Sequence, residues 1–133
     1  EMNAEKVVYS LLSGAAGVTA LVSTRIYPSD LPQQIAVPAI AYRHIDTVDR
    51  PTIHGDGGAQ LVQSRISVIA LANDYSAIKA IHEAVKDALR YQYGVIAGVQ
   101  VATITRDIVG PDLFDPDLER HEQGVDYLIV HTD

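Results

Sequence analysis

The chain has no cysteine, and that absence removes both a disulfide framework and thiolate metal ligation. Such a chain suits a reducing compartment. It is also poor in basic residues: 10 Lys and Arg stand against 17 Asp and Glu, for a formal net charge of -7, and the basic residues are scattered. Sequence-independent affinity for nucleic acid comes from Lys and Arg neutralising phosphates, so the charge argues against that function. No apolar run approaches the roughly 20 residues that span a bilayer, and the N-terminus lacks the basic-then-apolar order of a signal peptide. The protein is expected to be soluble and unexported, with Met2, after Glu1, as its natural start. Several catalytic signatures are missing too. There is no Gly-x-Ser-x-Gly elbow, no glycine loop ending in Gly-Lys-Ser or Gly-Lys-Thr, and no pair of His four apart on a helix with Glu between them. Internal repeats and low-complexity tracts are absent.

What is present is the balance of a globular domain: 133 residues, 47% apolar and 20% charged, enough for one domain with a real core. Residues 61–93 organise it. Val62, Ile66, Val68 and Ala70 recur at period two among β-branched neighbours, which predicts a strand with one face toward a core. Asn73 or Asp74 then offers a helix cap. From Tyr75 the period becomes helical, with Tyr75, Ile78, Ile81, His82, Val85, Ala88 and Leu89 on one face and Lys79, Glu83, Lys86, Asp87 and Arg90 elsewhere. Lys86 and Arg90 suit the negative end of the helix dipole, and Gly94 reads as the stop.

Earlier in the chain, Val7, Val8, Leu11 and Leu12 form a helical stripe over residues 4–13, ended by Gly14. A short helical turn over 18–22 follows. Arg25-Ile26-Tyr27-Pro28 and Leu31-Pro32-Gln33-Gln34 read as an extended lead-in crossing the sheet edge. Pro38 opens a strand through Ile40 and Tyr42 toward Val48. Residues 47–60 are too long and glycine-rich for a two-residue turn, and read as a projecting hairpin tip that meets partners. Strands over 99–108 and 122–131 flank an acidic loop at 110–117. The expected fold is α+β: one domain over residues 1–133, a mainly antiparallel sheet of four or five strands, two helices packed on one face, and a projecting β-hairpin.

Candidate chemistry is sparse. His54 and Asp56, two apart in the glycine-rich loop, are the residues a metal or phosphate site would use, against the plainer reading of a flexible tip. Asp112, Asp115, Asp117 and Glu119 carry calcium-type oxygens, but Pro111 and Pro116 interrupt them and the regular Asp-x-Asp-x-Asp-Gly spacing is absent; a solvated acidic turn is the default. His82 reads as a satisfied packing histidine, with His44 and His131 either flanking it or facing water. Tyr42, Tyr75, Tyr91, Tyr93 and Tyr127 are spread among the elements without basic neighbours, so they form no base-stacking platform.

Arg25-Ile26-Tyr27-Pro28, Leu31-Pro32-Gln33, Pro38-Ala39-Ile40-Ala41-Tyr42, the strand carrying Gln63 to Ala70, Asp74-Tyr75 opening an Ala-rich helix, and Asp112-Leu113-Phe114-Asp115 before a final strand together resemble the tail-completion or tail-terminator proteins of long-tailed bacteriophages and prophages. The likeness runs over residues 7–131 and lies in order and spacing rather than in one motif. It implies a structural protein with no catalytic residues, cofactor or metal. The implied role is a ring, commonly of six copies, that ends tail-tube polymerisation and meets the head connector. The implied location is the tail end of the virion, reached from the host bacterial cytoplasm. The tail tube protein and head-tail connector are the expected partners, with DNA passing through unbound and no membrane involved. Asp49, Arg50, His54 and Asp56 of the long hairpin are the expected subunit or tube contacts. Two alternatives stand beside this: another neck or connector protein, and, in a different class, a small-molecule or metal-binding hydrolase using the loop at residues 54–58.

Overall fold

A computed structural model describes residues 3–28, 36–50 and 61–132. The chain opens with α1 (Asn3–Gly14) and α2 (Ala16–Val22), which meet at an 81° bend. In α1 the spacing of Ala4, Val7, Val8 and Leu12 buries one stripe, and in α2 Val18 and Val22 do the same. The main helix, α3 (Tyr75–Leu89), starts where expected: the Asp74 carboxylate accepts the Ser76 backbone N–H at 3.2 Å. It buries Ile78, Ile81, Val85 and Leu89. Its end falls before Gly94, because Arg90 is already extended and Tyr91 takes a positive φ of 63°.

Seven strands form one sheet in the order β1-β2-β3-β7-β5-β4, with β6 also paired to β7. They are β1 (Ile26–Pro28), β2 (Ala39–Arg50), β3 (Leu61–Ala72), β4 (Gly94–Ile96), β5 (Val99–Val109), β6 (Leu113–Asp115) and β7 (Arg120–Thr132). The expectation of four or five strands is corrected to seven. The additional three, β1, β4 and β6, have three residues each, too short for a period-two pattern to show. The sheet is also mixed, since β1 runs parallel to β2 and every other pairing is antiparallel. The lead-in at residues 26–28 is therefore an edge strand. Among the described residues the helices number three, with α2 a distinct element that packs beside α3.

Alternation along the long strands divides the sheet into two faces. Ile40, Ile66, Val68, Ala70, Val101, Ile104, Val125, Tyr127 and Ile129 point into one core with the buried stripes of the helices. The other face carries a small second cluster of Ala39, Ala41 and Leu71 with Tyr27, Val37 and Ile69 against it. It also carries an ion triad: Arg65 Nη1 lies 2.6 Å from Asp107 and 3.2 Å from Asp126. A register shift between Arg106 and Ile108 inserts Asp107 as an extra residue, which allows it to meet Arg65. The hydrogen bond that Arg65 donates to Asp107 is the leading cause that holds the Arg65 pKa above its ordinary value.

Candidate functional site

The long hairpin is strand for more of its length than expected. β2 continues through Thr47, Val48, Asp49 and Arg50, paired to Ser64, Gln63, Val62 and Leu61. β3 is paired on its other side by β7 out to Leu61 and Thr132, so the described arms lie inside the sheet and do not project from it. Asp49 is exposed there, beside exposed Val48, and Arg50 is the last residue of β2. His54 and Asp56 lie outside the described residues, as does the hairpin tip.

The inner side of these arms holds a polar chain that the sequence reading did not find. His44 Nε2 lies 2.6 Å from Thr47 Oγ1, Thr47 Oγ1 lies 3.0 Å from Ser64 Oγ, and Ser64 Oγ lies 2.8 Å from His131 Nε2. His131 Nδ1 is 2.7 Å from the Thr132 carbonyl, which can only accept, so the proton sits on Nδ1. In the neutral ring Nε2 then accepts from the Ser64 hydroxyl. Ser64 in turn accepts from Thr47, and Thr47 accepts from the His44 N–H. Ser64 and His131 are both fully buried, so this Ser-His pair is sealed from solvent and braces β2, β3 and β7. His131 does not flank His82. His82 contacts Gln123, eight residues back along β7, roughly 26 Å away at 3.3 Å per residue.

A second long hairpin is formed by β5, β6 and β7. β5 ends opposite Val125, and β6 resumes the pairing on the same side of β7, opposite Glu122, His121 and Arg120. At the break, Gly110 donates to the Gly124 carbonyl at 2.8 Å, an approach so close that a Cβ on Gly110 would lie 2.6 Å from that oxygen. The acidic loop is therefore the end of a hairpin. Asp112 is held by Lys79 at 2.6 Å and by the Tyr75 hydroxyl at 3.1 Å, and the Lys79 bond is the main cause that depresses its pKa. Asp115 accepts the backbone N–H groups of Asp117 and Leu118, fixing the turn. These carboxylates serve the hairpin's own geometry, and among the described residues no three His, Asp or Glu side chains gather as a metal would require.

Among the described residues, two groups of exposed apolar side chains stand out. One follows this second hairpin through Ile108, Val109, Leu113, Phe114 and Leu118; the other lies on the same flank of the sheet but toward the other end of β7, at the β4 edge, where Tyr93 is 78% and Val95 is 71% exposed beside Tyr91. The β4 edge is formed by a two-residue turn, Ala97-Gly98, with positive φ at both positions.

Between α3 and the strands β5 and β7 lies a cleft lined by Lys79, His82, Arg106, Gln123 and Tyr127. His82 is half satisfied rather than fully: Nε2 meets the Gln123 carbonyl at 2.8 Å and buried Nδ1 has no partner. Burial lowers the His82 pKa and raises that of Tyr127 to about 12, so both are neutral near pH 7.

One mixed sheet with helices packed on one face defines a small α+β domain. The same fold occurs in a chain of a structure described as "Virion of native gene transfer agent (GTA) particle", with a TM-score of 0.74, 21% identity, and coverage of 96% of this chain and 92% of that one. The model of the family described as Tail completion protein gp17 matches residues 6–132, and the chain belongs to that family. It is thus a structural protein of phage tails. Comparison with curated proteins finds no match.

Proposed function

We propose that the protein closes the end of the tail tube as a ring of identical subunits, six in number. The ring stops tail polymerisation and forms the tail side of the head-tail junction. The observation that carries this reading is membership of the tail completion family over residues 6–132. The likeness to a chain of a gene transfer agent virion particle supports a place in the virion; the proposed position there is the neck end of the tail, reached from the bacterial cytoplasm.

A ring requires each copy to offer two unlike patches, one for each neighbour. The exposed strip along the second hairpin and the β4 edge with Tyr91, Tyr93 and Val95 are two such patches, unlike in make-up and set toward opposite ends of β7. Asp49, Arg50, His54 and Asp56 then serve as contacts to the tube or to a neighbour, with the head-tail connector on the other side. Six copies carry six times -7, about -42, and a channel lined by part of that charge repels DNA and lets it pass. The role needs no catalytic residue, cofactor or metal.

The test is solution mass by light scattering over a wide concentration range, alone and with purified tail tubes, for the wild type and for Val95→Asp and Arg50→Glu. The expected result is a ring-sized species with tubes that Val95→Asp abolishes and Arg50→Glu weakens. A wild type that stays monomeric and ignores the tubes would overturn the proposal.

A further inference from the structure

The cleft between α3, β5 and β7, of ≈ 180 Å³, has polar groups with no counterpart. Tyr127 is fully buried, and its hydroxyl has no hydrogen-bond partner among the described residues. His82 Nδ1 is buried and unpartnered on the same cleft. Arg106, the cross-strand neighbour of Tyr127, enters no ion pair or side-chain hydrogen bond among the described residues. Buried polar groups in folded proteins are almost always paired, so the two buried orphans point to a missing partner, and the exposed Arg106 guanidinium beside them is a charge free to meet it. The space exceeds what one bridging water needs.

The rim groups narrow the chemistry. Lys79 gives hydrogen bonds to Asp112 at 2.6 Å and to the Gln123 side chain at 3.0 Å, and Gln123 gives its own N–H to the Gly110 carbonyl. Glu83, the acid on the rim, pairs with Lys86 at 2.8 Å. What is left unspent is the five-donor fork of Arg106 and the Tyr127 O–H, a donor set that matches the two oxygens of a carboxylate. We propose that this cleft binds a carboxylate group, held by Arg106 and the Tyr127 hydroxyl. His82 supplies the third contact. Its Nε2 proton is committed to the Gln123 carbonyl, so Nδ1 offers a bare lone pair until an arriving negative charge draws a proton onto it. The charged groups around the ring are Lys79 and Glu83 on α3 and Arg106 on β5, with neutral Gln123 and Tyr127 facing it from β7. Binding therefore takes up a proton.

The same chemistry has two sources, a free small acid or an Asp or Glu of another protein chain. Acetate titrated into the full chain, followed by the ring NMR signals of His82 and Tyr127, tests the site. Saturation is expected in the millimolar range. Arg106→Gln should weaken it at least ~10-fold and Tyr127→Phe several-fold, since charged and neutral hydrogen bonds are lost respectively. Glu83→Gln should tighten it, and the affinity should rise as pH falls toward 6, a slope that His82→Gln removes. Tyr127→Phe keeps the ring that packs the core, so folding is preserved. No saturable shift, or full-strength binding in Arg106→Gln, would overturn the proposal. Light scattering in the same titration separates the sources, and either result upholds the site: oligomers dispersing at the binding midpoint assign the carboxylate to a second copy, and an unchanged mass assigns it to a free acid.

Discussion

Gly110→Ala is the perturbation whose cost can be worked most directly from the structure. The alanine Cβ would sit 2.6 Å from the Gly124 carbonyl oxygen and 3.6 Å from its carbon, and the atom it meets is backbone. Gly110 cannot slide away freely, because its N–H is bonded to Gly124 O at 2.8 Å and its carbonyl accepts from Gln123 Nε2 at 2.9 Å. Relief of the clash therefore breaks the Gly110–Gly124 bond, costing about 1 kcal/mol, and adds strain of about 1–3 kcal/mol. The sum is about 2–4 kcal/mol, a drop in Tm of roughly 10 °C for a domain of this size. Thermal and urea unfolding of the variant measure it. Native-state hydrogen exchange should show the loosening concentrated in β6 and the facing residues of β7. Gly17→Ala is the internal contrast. Its Cβ would touch only Ala84 Cβ, at 4.0 Å, inside a helix, so it should stabilise by about 0.5–1 kcal/mol. A Gly110→Ala protein within 0.5 kcal/mol of wild type would refute the reasoning that this close approach holds the second hairpin together.

Ser64→Ala should cost about 1–3 kcal/mol in urea unfolding, because it leaves His131 Nε2 buried without a donor. Burial pushes the Tyr127 pKa up from the ordinary 10.0 to about 12. The stability it contributes is present in full below pH 10 and lost as pH rises through about 12, and Tyr127→Phe should flatten that alkaline decline in a pH series of melting curves. Arg65→Gln should cost no more than about 1 kcal/mol and less in high salt, because Arg65, Asp107 and Asp126 have side chains 23%, 35% and 24% exposed and are partly screened.

The parts of the fold that were legible in the sequence are those where a period persists. β3 and α3 emerged because apolar spacing holds over 12 and 15 residues, and Asp74 because capping is local chemistry. β1, β4 and β6 did not, since three residues carry no period and their strand state comes from their neighbours: Ile26 beside Ile40, Val95 beside Gln100, Phe114 beside His121. The buried polar chain was within reach. Ser64 stands at an inward position between Val62 and Ile66, and His131 follows Val125, Tyr127 and Ile129 at period two, so the pattern put both polar groups on the buried face, although the sequence reading passed over Ser64 and left His131 beside His82 or facing water. The cleft was not, because Arg106 reaches it through its pairing with Tyr127, 21 positions away, across a strand whose register shifts twice. His54 and Asp56 lie outside the described residues, while Asp49 and Arg50 turned out to end a paired strand instead of occupying a free loop.

The most direct measurement of the central claim is tail-tube growth in vitro. Purified tube protein is set polymerising, this protein is added at a small molar fraction, and tube length and end occupancy are followed by electron microscopy and mass analysis. The ring account predicts that elongation stops, with about six copies bound at one end of each tube and none along its side. Tubes that continue to grow at the same rate, or protein found along their length in place of their ends, would contradict it.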